Sequence, residues 1–164
     1  MKEEYPLEDL LKIKIKRFDK AVKVFEEKTE KMFQEQEKLF KVEEERDKVL
    51  HHKKAKLDQL RTALDKGTRT DKIQQMKVYL EVVKERLLAK QKKVNDQKKN
   101  LEKAEQELEE AKKNLFEKKK ELEKIKLHQG EWKIEMKEIE KRLEAIEQDE
   151  IGSMRHVLKK HKKK

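Results

Sequence analysis

One interruption, the segment Lys-Gly-Thr-Arg-Thr-Asp at 66–71, divides this sequence into two long apolar repeats. On both sides of it, apolar residues recur at alternating spacings of four and three. That spacing is typical of helices that pack along one another in a coiled coil. Two such stripes joined by a short break predict an all-α fold, with two long helices forming an antiparallel coiled-coil hairpin.

The two apolar stripes, called seams below, differ in length. The second runs from Ile73 to Val157, so helix 2 is predicted to extend beyond helix 1. If the arms pair outward from the turn, the numbers of facing residues sum to about 137. The first seam consists of sixteen positions: Leu11, Ile15, Phe18, Val22, Phe25, Thr29, Met32, Gln36, Leu39, Glu43, Arg46, Leu50, Lys53, Leu57, Leu60 and Leu64.

The same register places Gly130 beside Pro6, where helix 1 begins. A glycine inside a helix costs about 1 kcal/mol relative to alanine, so we expect a close backbone approach or a bend there. Beyond this point the second seam continues with no predicted partner in the chain. The unpaired part contains Trp132, Met136, Ile139, Leu143 and Ile146.

Local signals set the predicted boundaries within a single domain, residues 1–164. Pro6 is suited to the first helical position, and Gly67 is suited to the residue after a helix, where φ is positive. Thr68 and Asp71 have the spacing of a capping box. We therefore predict helix 1 at about 6–66, the turn at about 66–70, helix 2 at about 69–160 and a basic frayed C-terminus at 159–164.

Composition excludes several classes of protein. Half of the residues are charged, so the chain cannot bury a globular core of ordinary size. Without cysteine it has neither disulfides nor thiolate metal sites. The first residues are too polar for a secretory signal, and no stretch approaches the ~20 apolar residues of a membrane span. These features predict a cytoplasmic protein without direct membrane insertion.

An enzyme is not expected, because catalysis needs a water-excluding pocket that two paired helices do not form. His51 and His52 are adjacent on a helix and point about 100° apart, so they cannot chelate one ion. We predict no catalytic, metal-binding or cofactor-binding residues, and no cofactor.

Five unusual residues in or beside the seam allow two interpretations each. The polar residues Glu43, Arg46 and Lys90 should lie in one layer or adjacent layers, where they either fix the register or extend from the seam to solvent. Phe33 and Phe40 each follow a seam position. They either widen the seam, which is the preferred interpretation, or form an exposed surface for a third helix.

Basic residues gather at two places, although the net charge of +10 is otherwise mixed along the chain. At the C-terminus they are Arg155, Lys159, Lys160, Lys162, Lys163 and Lys164. Aromatic residues are not interleaved with them, so nucleic-acid binding is not predicted. At the turn, a basic cluster lies near an apolar pair, which favours partner binding because Tyr and Arg are common in binding hot spots. This turn end comprises Arg61, Lys66, Arg69, Lys72, Met76 and Tyr79.

An ordered set of short segments carries a resemblance that covers nearly the whole chain. The segments are Tyr5-Pro6-Leu7-Glu8, Glu35-Gln36-Glu37-Lys38-Leu39, Glu45-Arg46-Asp47-Lys48-Val49, Gln59-Leu60-Arg61, Leu64-Asp65 before Gly67-Thr68, Met76-Lys77-Val78-Tyr79, Lys93-Val94-Asn95, His128 before Glu131-Trp132, and Glu147-Gln148-Asp149-Glu150-Ile151-Gly152. In this order they resemble the YscO/FliJ family of type III secretion stalk proteins, chlamydial-type members above all.

The resemblance implies a non-catalytic stalk at the cytosolic base of a secretion apparatus. Family members are thought to insert the end that carries both termini into the pore of a hexameric export ATPase. The turn end would reach the cytosolic domain of the export gate, and some members bind export chaperones. Here the ATPase end would comprise Tyr5, Leu7, Leu11, Trp132, Met136, Ile139, Leu143 and Ile146.

Two other functions stay open from the sequence. The unpaired stripe could pair with its copy in a second chain, which would make the protein a self-associating structural coiled coil; the expected state is a monomer or weak dimer. The chain could instead escort export chaperones or secreted proteins.

Overall fold

The computed structural model describes residues 4–162 and is all-α over that range, without a strand. Helix α1 spans Glu8–Asp65 and helix α2 spans Thr70–His161, with 58 and 92 residues. The predicted antiparallel hairpin with a longer second helix is confirmed. The chain divides into two compact units, Val22–Asn114 and Met1–Ala21 with Leu115–Lys164, and each is described by itself. Of the predicted basic C-terminus, Lys163 and Lys164 lie outside the described residues.

The turn between the helices, in the unit Val22–Asn114, is built around Gly67. Its φ is 67°, a left-handed conformation that glycine adopts without strain. The Thr68 N–H donates to the Ala63 carbonyl at 3.1 Å, and the Gly67 N–H donates to the Leu64 carbonyl at 3.3 Å. This pair of bonds is the Schellman motif that ends many helices, so the predicted role of Gly67 is confirmed.

The two helix starts differ from the prediction. Helix α2 begins at Thr70, and the Arg69 carbonyl accepts the Ile73 N–H at 3.2 Å. Thr68 thus lies one residue too early for the predicted capping box, and the Asp71 carboxylate binds the Arg69 guanidinium instead. Helix α1 begins at Glu8, after a turn in which the Glu8 N–H donates to the Tyr5 carbonyl. Pro6 occupies the second position of this turn, where its fixed φ is equally favourable.

Substitution by alanine should have opposite effects on stability at Gly67 and at Gly130. Gly67→Ala should destabilise the protein by about 1 kcal/mol, because alanine is strained at positive φ. Gly130→Ala should stabilise it by about 1 kcal/mol, since α2 is continuous there and an added Cβ meets nothing within 4 Å. Urea unfolding of both variants measures these changes. If the free energy of unfolding changed in the same direction in both variants, this account of the turn would be contradicted.

Gly130 was expected to mark a close backbone approach or a bend. The open space around its Cβ position excludes the close approach. Gly152 is equally open, and α2 continues through both glycines as α-helix.

In the unit Val22–Asn114, the predicted α2 seam is confirmed. Every seam position from Ile73 to Ala111 is buried or half-buried, and Val83 and Val94 are fully buried. No polar or charged side chain is buried within the described residues. The core of this unit is therefore a narrow apolar seam, and water reaches most of the remaining surface.

All predicted positions of the α1 seam except Ile15, Gln36 and Leu64 are buried or half-buried, and the residue before each of these three is half-buried instead. Gln36 is exposed while its neighbour Glu35 is half-buried, and Leu64 is exposed while Ala63 is half-buried. In the other unit, Ala21 is buried. Adjacent helical residues point about 100° apart, so α1 is rotated about its own axis relative to the predicted seam.

Polar side chains of the two seams form pairs at the flanks of the seams. Arg46 binds Asp47 at 3.0 Å and donates to the side-chain amide oxygen of Gln91 at 3.4 Å. Lys90 binds Glu45 at 2.9 Å, and this hydrogen bond lowers the pKa of Glu45. Glu43, Arg46 and Lys90 therefore make no direct pair with one another, which favours the interpretation that they extend from the seam to solvent.

Glu107 is the carboxylate most affected by partners on the facing helix. Its Oε2 accepts hydrogen bonds from Lys28 at 2.8 Å and Lys31 at 3.0 Å, which lower its pKa from 4.5 to about 2. A lowered pKa stabilises the fold above pH 4.5, and this stabilisation is lost as the pH falls towards 2.

Carbon-detected NMR titration of Glu107 measures this pKa directly. We expect a midpoint near 2 in the wild type and one close to the ordinary value in Lys28→Met/Lys31→Met. Lys41→Met is the control, because Lys41 pairs with Glu37 instead. A midpoint that does not move in the double variant would show that these lysines do not hold the carboxylate in solution.

Candidate functional site

The turn end presents exposed basic side chains, as predicted. Arg61, Lys66, Arg69 and Lys72 are all exposed. Arg69 pairs with Asp71 at 2.8 Å, and Arg61 lies 4.0 Å from Asp58. Within residues 4–162, no carboxylate lies within 4.0 Å of the Lys66 or Lys72 ammonium group. These two lysines can therefore pair with carboxylates of a partner.

Tyr79 lies beside this basic cluster and is held by a neighbour on α1. Its hydroxyl is 2.8 Å from His52 Nε2, and the two rings meet edge to face at 5.9 Å. The Lys56 ammonium lies 5.7 Å from the ring centroid. Tyr79 is half-exposed in spite of these contacts, so an oriented aromatic side chain stands at the surface beside cations.

Met76 joins two shallow grooves at this end. It is half-buried, as its seam position predicts. One groove adds Lys72 and Tyr79 to it, and the other adds Lys66 and Thr68. The groove at Tyr79 is lined by two lysines, Lys56 and Lys72, and by no carboxylate, which suits an acidic partner surface with an apolar centre. The groove at Lys66 also contains Asp58, so its charge is mixed.

His52 is a member of this site that the sequence analysis did not identify. A signal for it existed: His52 immediately precedes seam residue Lys53, and Tyr79 immediately precedes seam residue Leu80. Residues that flank the seams of two paired helices can meet across them. Only the positions of the two helices show that these flanks are adjacent.

The end that carries the N-terminus, in the unit Met1–Ala21 with Leu115–Lys164, is closed by an aromatic cluster. Tyr5 is buried, its hydroxyl lies 2.6 Å from His128 Nδ1, and its ring centroid lies 5.4 Å from that of Trp132. The Gln129 amide donates to Glu8 at 3.3 Å. The turn before α1 is thereby attached to α2.

This cluster corrects the extent of the unpaired stripe. Trp132 and Met136 are half-buried, whereas the sequence predicted that they lack a partner in the chain. For Trp132 the reason is that Tyr5 lies before α1 and still packs against the indole ring. Pairing with α2 therefore extends beyond the first residue of α1 to the turn that precedes it. The exposed stripe of α2 begins at Ile139.

From Ile139 onwards, α2 has no partner among the described residues. All side chains between residues 139 and 162 are exposed. Ile139, Leu143 and Ile146 continue the heptad spacing, so they lie on one face. Apolar side chains that form a continuous exposed stripe typically mark a binding surface.

The eight residues predicted for the ATPase end thus fall into two groups. Tyr5, Leu11, Trp132 and Met136 are buried or half-buried, so they hold this end together. The exposed group consists of Leu7, Ile139, Leu143 and Ile146. The second group is more accessible to a partner, while the half-buried Trp132 and Met136 keep part of their surface exposed.

Phe33 and Phe40 contradict the preferred interpretation that they widen the seam. Both are largely exposed on α1, because a position next to the seam turns away from the partner helix once α1 is rotated. Their surface belongs to neither of the two ends described above.

Other sites are not indicated in the described residues. They contain no cluster of three His, Cys, Asp or Glu side chains that could hold a metal ion. None of their helices combines the length and the apolar character needed to cross a bilayer.

Comparisons with known proteins point to one family. The chain matches the family model of YscO-like proteins over residues 2–162. Among solved structures, it is similar to CT670 from Chlamydia trachomatis, a proposed YscO homolog, with 46% sequence identity and a TM-score of 0.86. That likeness covers 97% of this chain and 98% of the other. No curated protein sequence matches the chain significantly.

Proposed function

Because the chain belongs to the YscO-like family, we propose that it is a non-catalytic stalk that couples the export ATPase of a type III secretion apparatus to the export gate. Members of this family are secretion-associated, and the chain is accordingly a type III secretion-related protein. The coupling role, its place at the cytosolic base of the apparatus and its partners are the parts proposed here.

The proposed contact with the ATPase is inferred from the exposed stripe of α2. Ile139, Leu143 and Ile146 continue the seam on one face and are exposed to solvent. An apolar helical face of this kind binds by packing into an apolar groove of a partner. In this proposal the pore of the hexameric ATPase supplies that groove, and Leu7, which is exposed just before α1, is a further contact residue.

The decisive experiment mixes the purified chain with the hexameric export ATPase from the same organism. Binding is measured by analytical ultracentrifugation, and ATP hydrolysis is measured with and without the chain. We expect a complex and a changed rate of hydrolysis. A chain that neither binds the ATPase nor changes its rate refutes the ATPase half of the proposal.

The turn end is the proposed contact for the export gate. Arg69→Glu/Tyr79→Ala should weaken binding to the cytosolic domain of the gate by about tenfold, because it reverses one charge and removes the exposed ring. Lys112→Glu, a charge reversal on an exposed part of α2, is the control and should bind normally. Isothermal titration calorimetry measures all three affinities, and undiminished binding of the double variant excludes this placement.

Export chaperones are a further proposed class of partner, which pull-down with purified chaperones tests.

Self-association is the alternative function, and the same exposed stripe favours it, since two copies could pair along Ile139, Leu143 and Ile146. Light scattering at micromolar concentration distinguishes self-association from binding of the stripe to another protein. A monomeric mass supports a stripe that binds another protein, and a dimer that Leu143→Asp dissociates supports self-association.

A further inference from the structure

Two phenylalanines on α1 form a surface that neither the fold nor the proposed function uses. Phe33 and Phe40 are 59% and 67% exposed. They are seven residues apart, so they lie on the same face of the helix about 10 Å apart along its axis. We call this surface the phenylalanine face; it consists of Phe33 and Phe40 with the neighbouring carboxylates Glu26, Glu30, Glu37, Glu43 and Glu44.

Each ring borders an open groove that has three carboxylates among its other lining residues. The groove at Phe33 is lined by Glu26, Glu30 and Glu37, and also by Phe25, Thr29 and Gln34. The groove at Phe40 is lined by Glu43 and Glu44, and also by Asp47, Lys48 and His51. An apolar ring beside an open groove offers a contact to a side chain from outside the molecule.

The charge of this face is opposite to that of the whole chain, which is +10. Within the described residues, no basic side chain lies within 4.0 Å of the carboxylates of Glu26, Glu30 or Glu44. Glu37 pairs only with Lys41, at 3.2 Å, and both side chains are exposed. The carboxylates around the two rings are therefore available to cations of a partner.

A third exposed phenylalanine shows that this arrangement is particular to α1. Phe116 on α2 is 58% exposed, and the Lys120 ammonium lies 4.9 Å from its ring centroid. Its helical neighbours include Lys112, Lys113 and Lys119. The same side chain, equally exposed, thus stands in basic surroundings there and in acidic surroundings at Phe33 and Phe40.

We propose that the phenylalanine face binds an amphipathic helix of another protein, whose apolar stripe is flanked by lysine or arginine. Apolar side chains four and three residues apart on that helix would cover the two rings, and its cations would pair with the glutamates on either side. This proposal does not rest on the ATPase or gate contacts, because it concerns different residues.

A second copy bound through the basic part of α2, at Arg155, Lys159 and Lys160, is the dimer outcome of the test below. The stripe of a second copy between Ile139 and Ile146 fits the face less well, since Glu140, Glu144 and Glu147 outnumber Lys141 and Arg142 there. These carboxylates would lie against those of the phenylalanine face, and like charges at close range oppose association. Charge complementarity therefore selects a basic partner helix.

The test uses three synthetic helical peptides and the full chain. The first carries leucine at alternating spacings of three and four with lysine elsewhere, the second has glutamate in place of lysine, and the third has glutamine in place of leucine. Fluorescence anisotropy measures their binding. We expect the first to bind and the other two to bind at least about tenfold more weakly.

Matched variants locate the binding. Phe33→Ser/Phe40→Ser should weaken binding of the first peptide at least about tenfold, whereas Phe116→Ser should not change it. Glu30→Gln/Glu37→Gln/Glu44→Gln should weaken binding and reduce its salt dependence. All variants should keep the wild-type melting temperature, since every substituted side chain is exposed.

Three results would overturn the proposal. One is equal loss of binding in Phe116→Ser, and another is equal binding of the peptide that lacks leucine. The third is a wild-type dimer that Phe33→Ser/Phe40→Ser converts to monomer, because the occupant would then be a second copy.

Discussion

Leu143→Asp should abolish binding of the export ATPase, and with it the change in the rate of ATP hydrolysis, while leaving the melting temperature unchanged. Leu122→Asp should instead disrupt much of the helix pairing. The two leucines occupy the same heptad position of α2, three heptads apart. A sequence pattern therefore assigns them the same environment. Their exposures differ, at 6% for Leu122 and 57% for Leu143.

The difference in exposure determines the cost of a carboxylate. Leu122 is in the apolar seam, so Leu122→Asp removes a buried apolar side chain and places an unpaired charge there. These effects together should cost at least about 3 kcal/mol. At Leu143 the new carboxylate stays in water, so the fold loses nothing, but an apolar contact with a partner would become unfavourable.

Circular dichroism melting and ATPase binding by ultracentrifugation measure both effects. Glu147→Gln, an exposed change on the same part of α2, is the control and should alter neither. Normal ATPase binding by Leu143→Asp would remove the stripe from the proposed contact. A lower melting temperature for the same variant would instead show that Leu143 is buried in solution, either within the chain or between copies.

Tyr5→Ala should release the turn before α1 from α2. The variant loses the packing of a buried ring against Trp132 and the hydrogen bond to His128, with an expected cost of about 3 kcal/mol. Because Tyr5 precedes α1, we expect the loss to appear as local opening of this end. Trp132 is the single tryptophan in the sequence, so a red shift of its fluorescence reports the opening.

Tyr5→Phe separates the two contributions. It keeps the ring and loses only the hydroxyl, so its cost should be about 1 kcal/mol, and the emission of Trp132 should stay near that of the wild type. Acrylamide quenching gives an independent measure of how accessible the indole is. If Tyr5→Ala leaves both fluorescence measurements unchanged, Tyr5 does not cover Trp132 in solution.

Some features of the two candidate binding ends could be predicted from the sequence. Exposure of Leu143 and Ile146 followed from counting the arms, because a longer helix must continue past a shorter one. Burial of Trp132 did not follow, since its partner Tyr5 stands in a turn where helical periodicity gives no information. The contact between His52 and Tyr79 was also missed, because it depends on how far apart the flanks of two helices lie.

The sequence by itself determined the turn at Gly67, the unequal arms and the α2 seam. Each depends on a local conformational preference or on a period within one helix. Only the tertiary structure decided which residues of α1 face α2. Ala21 and Val22, or Ala63 and Leu64, are adjacent apolar pairs, so two stripes one residue apart satisfy the same period. Packing against the partner helix fixes the rotation of α1, and that rotation buries Ala21 and leaves Leu64, Phe33 and Phe40 exposed.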